Sequence, residues 1–239
     1  MPTLYYLLPI FNEASQLSSL LETLNAHALP PGWFGRIVAV NDGSTDASLT
    51  ILEQNQGRSP LDIVSYAPNQ GIPTVLKQGF AHLSPRLGDD DIVVIMESDG
   101  TSDLAVIPDF IKAIEAGADV VIGSRSIRGG AYKNFPWQRK LGSILTNWFL
   151  RLTWQVPGVT DYTIFYRAYR GAVLKQYIEN GVSFQSQKSF AANGELLLRL
   201  SRYTKNFAEV PLQYDYGLKK GKSKMKLFGT LWEYLKIKR

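Results

Sequence analysis

Two carboxylates two residues apart, Glu97 and Asp99, stand in Glu97-Ser98-Asp99-Gly100-Thr101, directly after the apolar run 92–96. A turn at that point can aim both at one hard cation, and oxygen ligands with positions left for water or phosphate suit Mg2+ or Mn2+. The same pair also fits a plainer use, a helix-capping turn with Asp103 at the N-cap. A second acidic loop, Asn41-Asp42-Gly43-Ser44-Thr45-Asp46, and a third polar loop through Pro9, Phe11, Asn12 and Glu13 shift the balance. A nucleotide needs acceptors for base and ribose and a cation for its diphosphate, and these loops together offer both. Further along, Arg139, Ser143 and Asn147 recur every four residues and so share one helix face. A guanidinium and a hydroxyl one turn apart could clasp a phosphate, or the stripe is a solvated face. Leu141, Leu145, Trp148 and Leu152 fall on other faces of that helix and read as core.

The elements that must position these loops come from the hydrophobic pattern. Residues 4–9, 36–40, 62–66, 91–96 and 119–122 read as strands, near-continuously apolar as strands covered on both faces are. Helical spacing begins near Glu13, Asp46, Pro73 and Asp103. Such alternation predicts an α/β fold with right-handed crossovers and a mostly parallel sheet flanked by helices. In that class, ligands sit beyond the carboxyl ends of the strands, where all three polar loops fall. After Gly123 the alternation breaks; 135–154 and 189–203 read as helices and 206–214 as a strand.

Composition bounds the rest. The 239 residues are 45% hydrophobic and 20% charged, which excludes a disordered or low-complexity chain. Zero cysteines exclude disulfides and thiolate chemistry and fit a reducing compartment. No signal-peptide pattern opens the chain, and no apolar run approaches the roughly 18 residues of a membrane span. The net charge of +5 is uneven: residues 218–239 hold eight of the 26 Lys and Arg and one of the 21 Asp and Glu, so a tail of +7 follows a body of −2.

Six motifs fall in one register: Pro9-Ile10-Phe11-Asn12-Glu13, Val40-Asn41-Asp42-Gly43-Ser44-Thr45-Asp46, Asn69-Gln70-Gly71, Glu97-Ser98-Asp99, Gly123-Ser124-Arg125 and Gly221-Lys222-Ser223-Lys224. Their order and spacing resemble family 2 glycosyltransferases of the GT-A fold, and in particular the dolichyl- or polyprenyl-phosphate mannosyltransferase and glucosyltransferase branch, over residues 3–226. The resemblance implies that Pro9, Phe11, Glu13 and Asp42 receive the nucleobase and ribose of a nucleotide sugar, with Lys224 on its phosphates. It implies Asp99 and Glu97 as ligands of Mg2+ or Mn2+, with Glu97 where the family more often has aspartate and Thr101 where some relatives carry glutamine. Arg125 looks like the arginine that meets the donor phosphates or sugar, Arg139 and Ser143 like the acceptor-phosphate contacts, and Asp161 like the aspartate beside the transferred sugar. Glu195 matches a second acidic position, which a structural carboxylate would fill equally well.

The chain departs from the family where Leu218 replaces an arginine, a charge that Lys219 or Lys220 could supply. It also lacks the Glu-Asp and Gln-x-x-Arg-Trp motifs that serve hydroxyl acceptors. A hydroxyl needs a general base, whereas a phosphate monoester, with a second pKa of about 6, is largely dianionic at neutral pH. The expectation is therefore an inverting, metal-dependent glycosyltransferase that moves a hexose from a GDP-mannose or UDP-glucose type of donor to a polyprenyl phosphate or other lipid acceptor. Residues 1–217 would form the catalytic domain and 218–239 a basic segment ending in an amphipathic helix, peripheral on the cytoplasmic face of a membrane. The alternatives are a hydroxyl acceptor on a glycan or glycolipid, with Asp161 or Glu195 as base, and a non-catalytic module for anionic membranes or nucleic acid. No nucleic-acid motif is present, so nucleic acid is not expected as a partner.

Overall fold

The computed structural model describes residues 1–219 and 227–238. Its first half alternates as the pattern predicts: β1 (Thr3–Ile10), α1 (Ala14–Ala26), β2 (Phe34–Asp42), α2 (Ser48–Asn55), β3 (Leu61–Tyr66), α3 (Ile72–Leu83), β4 (Ile92–Ile95), α4 (Ile107–Glu115) and β5 (Val120–Ser124). β1, β2 and β3 pair in parallel, and β4 joins β1 in parallel on its other side. Sheet growth thus reverses between β1 and β4, which opens a crevice at their carboxyl ends.

Both strands at that crevice are apolar because both faces are covered. Leu4, Leu7 and Leu8 of β1 and every residue of β4 are inaccessible to solvent. α3 buries Val75, Leu76, Phe80 and Leu83 and packs on β1 and β2, so closely that a Cβ at Gly79 would lie 2.6 Å from a Leu7 methyl. α4 buries Ile107, Phe110, Ile111 and Ile114 against β5 and its neighbours. Each such side chain contributes about 2 kcal/mol of burial.

The second half departs from the expected pattern. It runs β6 (Ala131–Lys133), α5 (Trp137–Trp154), β7 (Arg167–Arg170), α6 (Gly171–Glu179), α7 (Ala191–Leu200), β8 (Phe207–Pro211), β9 (Gln213–Asp215) and α8 (Leu227–Lys236). The sheet order is β3-β2-β1-β4-β7-β5-β8, with β7 antiparallel to both neighbours and β8 parallel to β5. β7 has no hydrophobic signature because arginines begin and end it. Arg167 is nevertheless fully buried, its guanidinium donating to Asn193 Oδ1 at 2.8 Å and to the Tyr162 carbonyl at 2.7 Å. The strand expected over 206–214 is divided at Leu212, and β9 leaves the large sheet to pair with β6.

One assignment reverses. Leu141, Leu145, Trp148 and Leu152 of α5, read as core from their spacing, are exposed. The side of α5 that packs inward is its polar stripe, with Thr146, Asn147, Leu150 and Trp154 buried. α8 packs against α5 and α7 and buries Thr230 and Tyr234, and Ile237 just beyond it is buried as well. Among the described residues no helix is long and apolar enough to cross a membrane.

Candidate active site

The loops after β1 and β2 are laced to each other. Asn12 adopts a left-handed φ of 52°, a conformation asparagine tolerates, and its Oδ1 accepts from the Thr45 and Asp46 amides at 2.7 and 3.3 Å. In return Ser44 Oγ accepts from the Asn12 amide at 3.0 Å and Ser48 Oγ from the Glu13 amide at 2.9 Å. Gly43, at φ 65°, lets this loop approach the next: a Cβ there would meet the Asn69 nitrogen at 2.6 Å. Asp42 is buried at the start of α3 and accepts from Asn69 Nδ2 and the Gln70 and Gly71 amides at 2.7–2.8 Å. Its charge therefore meets the positive end of the α3 dipole while one side of the residue lines the cavity.

At the end of β4, Ser98 Oγ donates to the Pro9 carbonyl at 2.9 Å and ties the acidic loop to β1. Asp103 caps the short turn that follows, accepting from the Ala105 amide at 3.0 Å. Asp103 does the capping, Asp99 Oδ1 accepts from the Thr101 amide at 3.2 Å within the turn, and Glu97 and Asp99 both line the cavity. The Thr101 hydroxyl lies 2.5 Å from Asp99 Oδ1 and 3.2 Å from Glu97 Oε2, and the Lys219 ammonium donates to Asp99 Oδ2. Burial, and next the charge of Asp99, push the Glu97 carboxyl up to about 7 despite Lys219 and Arg125 nearby. The two carboxylates share one directly bonded ammonium, that of Lys219.

Arg125 follows β5 and grips Asp161 from three points. Nε and Nη2 donate at 2.8 and 2.7 Å to separate carboxylate oxygens, and the Arg125 amide donates at 3.1 Å. Nη2 also reaches Thr163 Oγ1 at 2.7 Å, and the guanidinium lies 4.6 Å from the centre of the Tyr132 ring. Nη1 bonds to none of the described residues, and Arg125 lines the cavity. Asp161 is fully buried and also accepts from Asn147 Nδ2 at 3.1 Å and the Ile164 amide at 3.2 Å. Burial alone would raise its carboxyl; the charge and hydrogen bonds of Arg125, with Asn147, bring it down to about 2.

The polar stripe of α5 divides by function. Arg139 and Ser143 line the cavity, where Ser143 Oγ shares hydrogen bonds with Thr163 Oγ1 at 2.8 Å and the Tyr132 hydroxyl at 3.3 Å. Asn147 is buried, and its Oδ1 accepts from the Tyr162 and Thr163 amides, which holds the loop carrying Asp161. Glu195 lies away from the cavity: its oxygens accept from the Gln185 and Ser186 amides and from Arg199, a buried structural ion pair.

Pro9, Phe11, Glu13, Asp42, Glu97, Asp99, Arg125, Arg139 and Ser143 thus border one cavity of about 240 Å3. Asp161 stands behind it, and Lys224 lies outside the described residues. Sequence reasoning did not single out Tyr132, Tyr214 or Thr163, whose positions carry no spacing signal, and it read Tyr234 only as part of the C-terminal amphipathic helix, whereas Tyr234 lines the cavity. The cavity grades from carboxylates at the ends of β1, β2 and β4, with Lys219 paired to Asp99 among them, to the guanidinium groups of Arg125 and Arg139. Such a gradient fits a ligand whose phosphates meet both a cation and guanidinium groups. Among the described residues no group of three or more histidine, aspartate and glutamate side chains converges on a metal position. The pair at Glu97 and Asp99 fits a hard divalent cation as half of a ligand set, since its two carboxylates, one buried and one half-buried, line the cavity and share the single ammonium of Lys219.

Residues 6–178 match the family model described as Glycosyl transferase family 2. The dolichol-phosphate mannosyltransferase of Pyrococcus furiosus is 28% identical over 235 residues, which is 96% of this chain and 61% of the archaeal protein. The chain therefore spans less than two thirds of that relative's length. The polyprenol monophosphomannose synthase of Mycolicibacterium smegmatis is 28% identical over 210 residues, covering 87% of this chain and 76% of the relative. The structure of glucosyl-3-phosphoglycerate synthase from Mycobacterium tuberculosis, in complex with Mn2+, UDP and glucosyl-3-phosphoglycerate, matches with a TM-score of 0.71 at 17% identity, over 98% of this chain and 77% of that one. That likeness is one of fold.

Proposed function

The chain belongs to glycosyltransferase family 2, and from that premise we propose that it is an inverting enzyme moving a hexose from a nucleotide sugar to a polyprenyl phosphate. The observation that carries the choice of acceptor is the engagement of both candidate bases. Asp161 is buried in an ion pair with Arg125, and Glu195 in one with Arg199, so neither can take a proton from a hydroxyl acceptor. The remaining carboxylates of the cavity lie at the ends of β1, β2 and β4, the side assigned here to nucleotide and cation. A phosphate acceptor needs no base, and Arg139 and Ser143 offer it a guanidinium and a hydroxyl.

Pro9, Phe11, Glu13 and Asp42 would seat the base and ribose. Asp99 and Glu97 would hold Mg2+ or Mn2+, which when bound supplies Lewis-acid stabilisation of the departing diphosphate. Arg139 and Ser143 orient the acceptor, one of whose phosphate oxygens attacks the anomeric carbon. The bond from that carbon to the nucleoside diphosphate breaks, the electron pair leaves with the diphosphate, and the configuration inverts. Arg125, fixed by Asp161, presents Nη1 to the growing negative charge at no reorganisation cost. Residues 1–217 carry this chemistry and 218–239 the basic segment, of which Lys219 reaches the site and Lys224 would meet donor phosphate.

Two results are expected. Arg139→Lys keeps the charge but loses the planar fork, so the KM for polyprenyl phosphate rises about tenfold while the donor KM is unchanged; equal change in both would place Arg139 elsewhere. Lys219→Met removes the ammonium now on Asp99, so Mn2+ binding measured by calorimetry without nucleotide tightens about tenfold. Unchanged Mn2+ affinity in that variant would contradict a shared position for lysine and metal.

A further inference from the structure

The face of α5 that points away from the cavity is apolar and uncovered. Trp137, Leu141, Ile144, Leu145, Trp148 and Leu152 recur every three or four positions and form one stripe, with Trp137 68% and Trp148 64% exposed. α8, packed beside it, adds Trp232 and Leu235, also largely exposed. Apolar side chains gathered on one helix face toward solvent mark an interaction surface.

The surrounding charge identifies the partner. No aspartate or glutamate occurs between Asp119 and Asp161, and that stretch carries Arg125, Arg128, Lys133, Arg139, Lys140 and Arg151. Arg125 is bound to Asp161 and Arg139 faces the cavity, but Lys140 and Arg151 are exposed on α5, and Lys236 is exposed on α8. An apolar stripe with tryptophans, on a helix whose charged residues are all cations, has the chemistry of a helix lying in the headgroup region of an anionic bilayer. A second copy of the chain fits less well, since a two-fold contact over this stripe would bring Lys140 and Arg151 against the same residues.

We propose that the outer face of α5, together with Trp232 and Leu235 of α8, is the surface on which the protein lies in the interface of an anionic membrane. The placement gives α5 two duties on opposite sides. Its inner stripe holds Arg139 and Ser143 at the cavity, and its outer stripe enters the headgroup layer about one helix diameter, some 10 Å, away. This second clause rests on the polyprenyl-phosphate reading: a lipid acceptor's phosphate lies at that depth, and the cavity would meet it there. The bilayer contact itself does not depend on the acceptor.

The test uses the full chain and vesicles of phosphatidylcholine with or without phosphatidylglycerol. The wild type is expected to float with the anionic vesicles and to lose binding in high salt. Trp148→Ser combined with Leu152→Ser, both exposed and outside the cavity, should abolish flotation with an unchanged melting temperature. Lys140→Gln with Arg151→Gln should weaken it about thirtyfold. On a short, water-soluble prenyl phosphate the Ser variant should turn over as the wild type does, while losing activity on polyprenyl phosphate embedded in vesicles. A wild type that stays in the supernatant, a Ser variant that floats undiminished, or a solution dimer that the Ser variant dissociates would overturn the proposal. Flotation without transfer to any prenyl phosphate would leave the docking surface standing and refute the acceptor.

Discussion

Asp99→Asn is expected to lower transfer about a thousandfold at saturating donor and acceptor, the size of effect seen when a preorganised group at a developing charge is removed. The substitution is nearly isosteric, and the Thr101 hydroxyl at 2.5 Å from Oδ1 keeps an oxygen to bond. What changes is the charge, and the group facing Lys219, which becomes an amide donor opposed to an ammonium. Removing Asp99's charge also removes the second-largest cause of Glu97's elevation, so that carboxyl falls from about 7 toward its ordinary value. The folded protein should therefore survive while Mn2+ binding and turnover are lost together. Initial rates with labelled donor across a Mn2+ titration check this; a variant that keeps a tenth of the activity with unaltered metal dependence would remove Asp99 from the site.

Asp161→Ala should instead strike the fold. It leaves Arg125 buried without a counter-charge and takes acceptors from the Arg125, Thr163 and Ile164 amides and from Asn147. Breaking a buried pair in this way costs about 3–5 kcal/mol, which at about 2–4 °C per kcal/mol lowers the melting temperature by roughly 6–20 °C. The pH dependence carries a sign that can be checked. The Asp161 carboxyl lies near 2 in the folded protein against an ordinary value of 3.8, so folding favours its ionised form. Its contribution is complete above about pH 4 and fades as pH falls through 2. Asp161→Asn, which keeps one oxygen acceptor, should be less stable than the wild type at neutral pH and should converge on it in acid. Denaturation curves from pH 2.5 to 7 that stay parallel would show that the ion pair contributes no net stability.

These two aspartates also mark how far the sequence could be read. The crevice between β1 and β4 was legible because covered parallel strands are apolar throughout and their polar loops follow at once; Glu97, Asp99 and Asp42 stand where that pattern implies. Asp161 could be singled out from its motif but its engagement could not, since only three-dimensional packing shows that Arg125 occupies it from several sides. β7 escaped because hydrophobic pattern treats arginine as a surface residue, and Arg167 is buried through hydrogen bonds to Asn193 and Tyr162. The outer stripe of α5 was assigned to the core by the same rule applied in reverse. Helical spacing shows that Leu141, Leu145, Trp148 and Leu152 share a side, but not whether protein or another apolar medium covers it. Lys219 was one of two lysines able to supply a missing charge, and only the path of the chain after β9 sets it on Asp99.

The most direct test of the central claim is a transfer assay with radiolabelled GDP-mannose and UDP-glucose, Mn2+, and either polyprenyl phosphate in detergent or a glycan primer. Label from one donor should pass into a lipid whose sugar is released by mild acid, as a glycosyl phosphate is, with none entering the primer. Label on the primer and none on the lipid would contradict a phosphate acceptor and return the search to a base within the cavity.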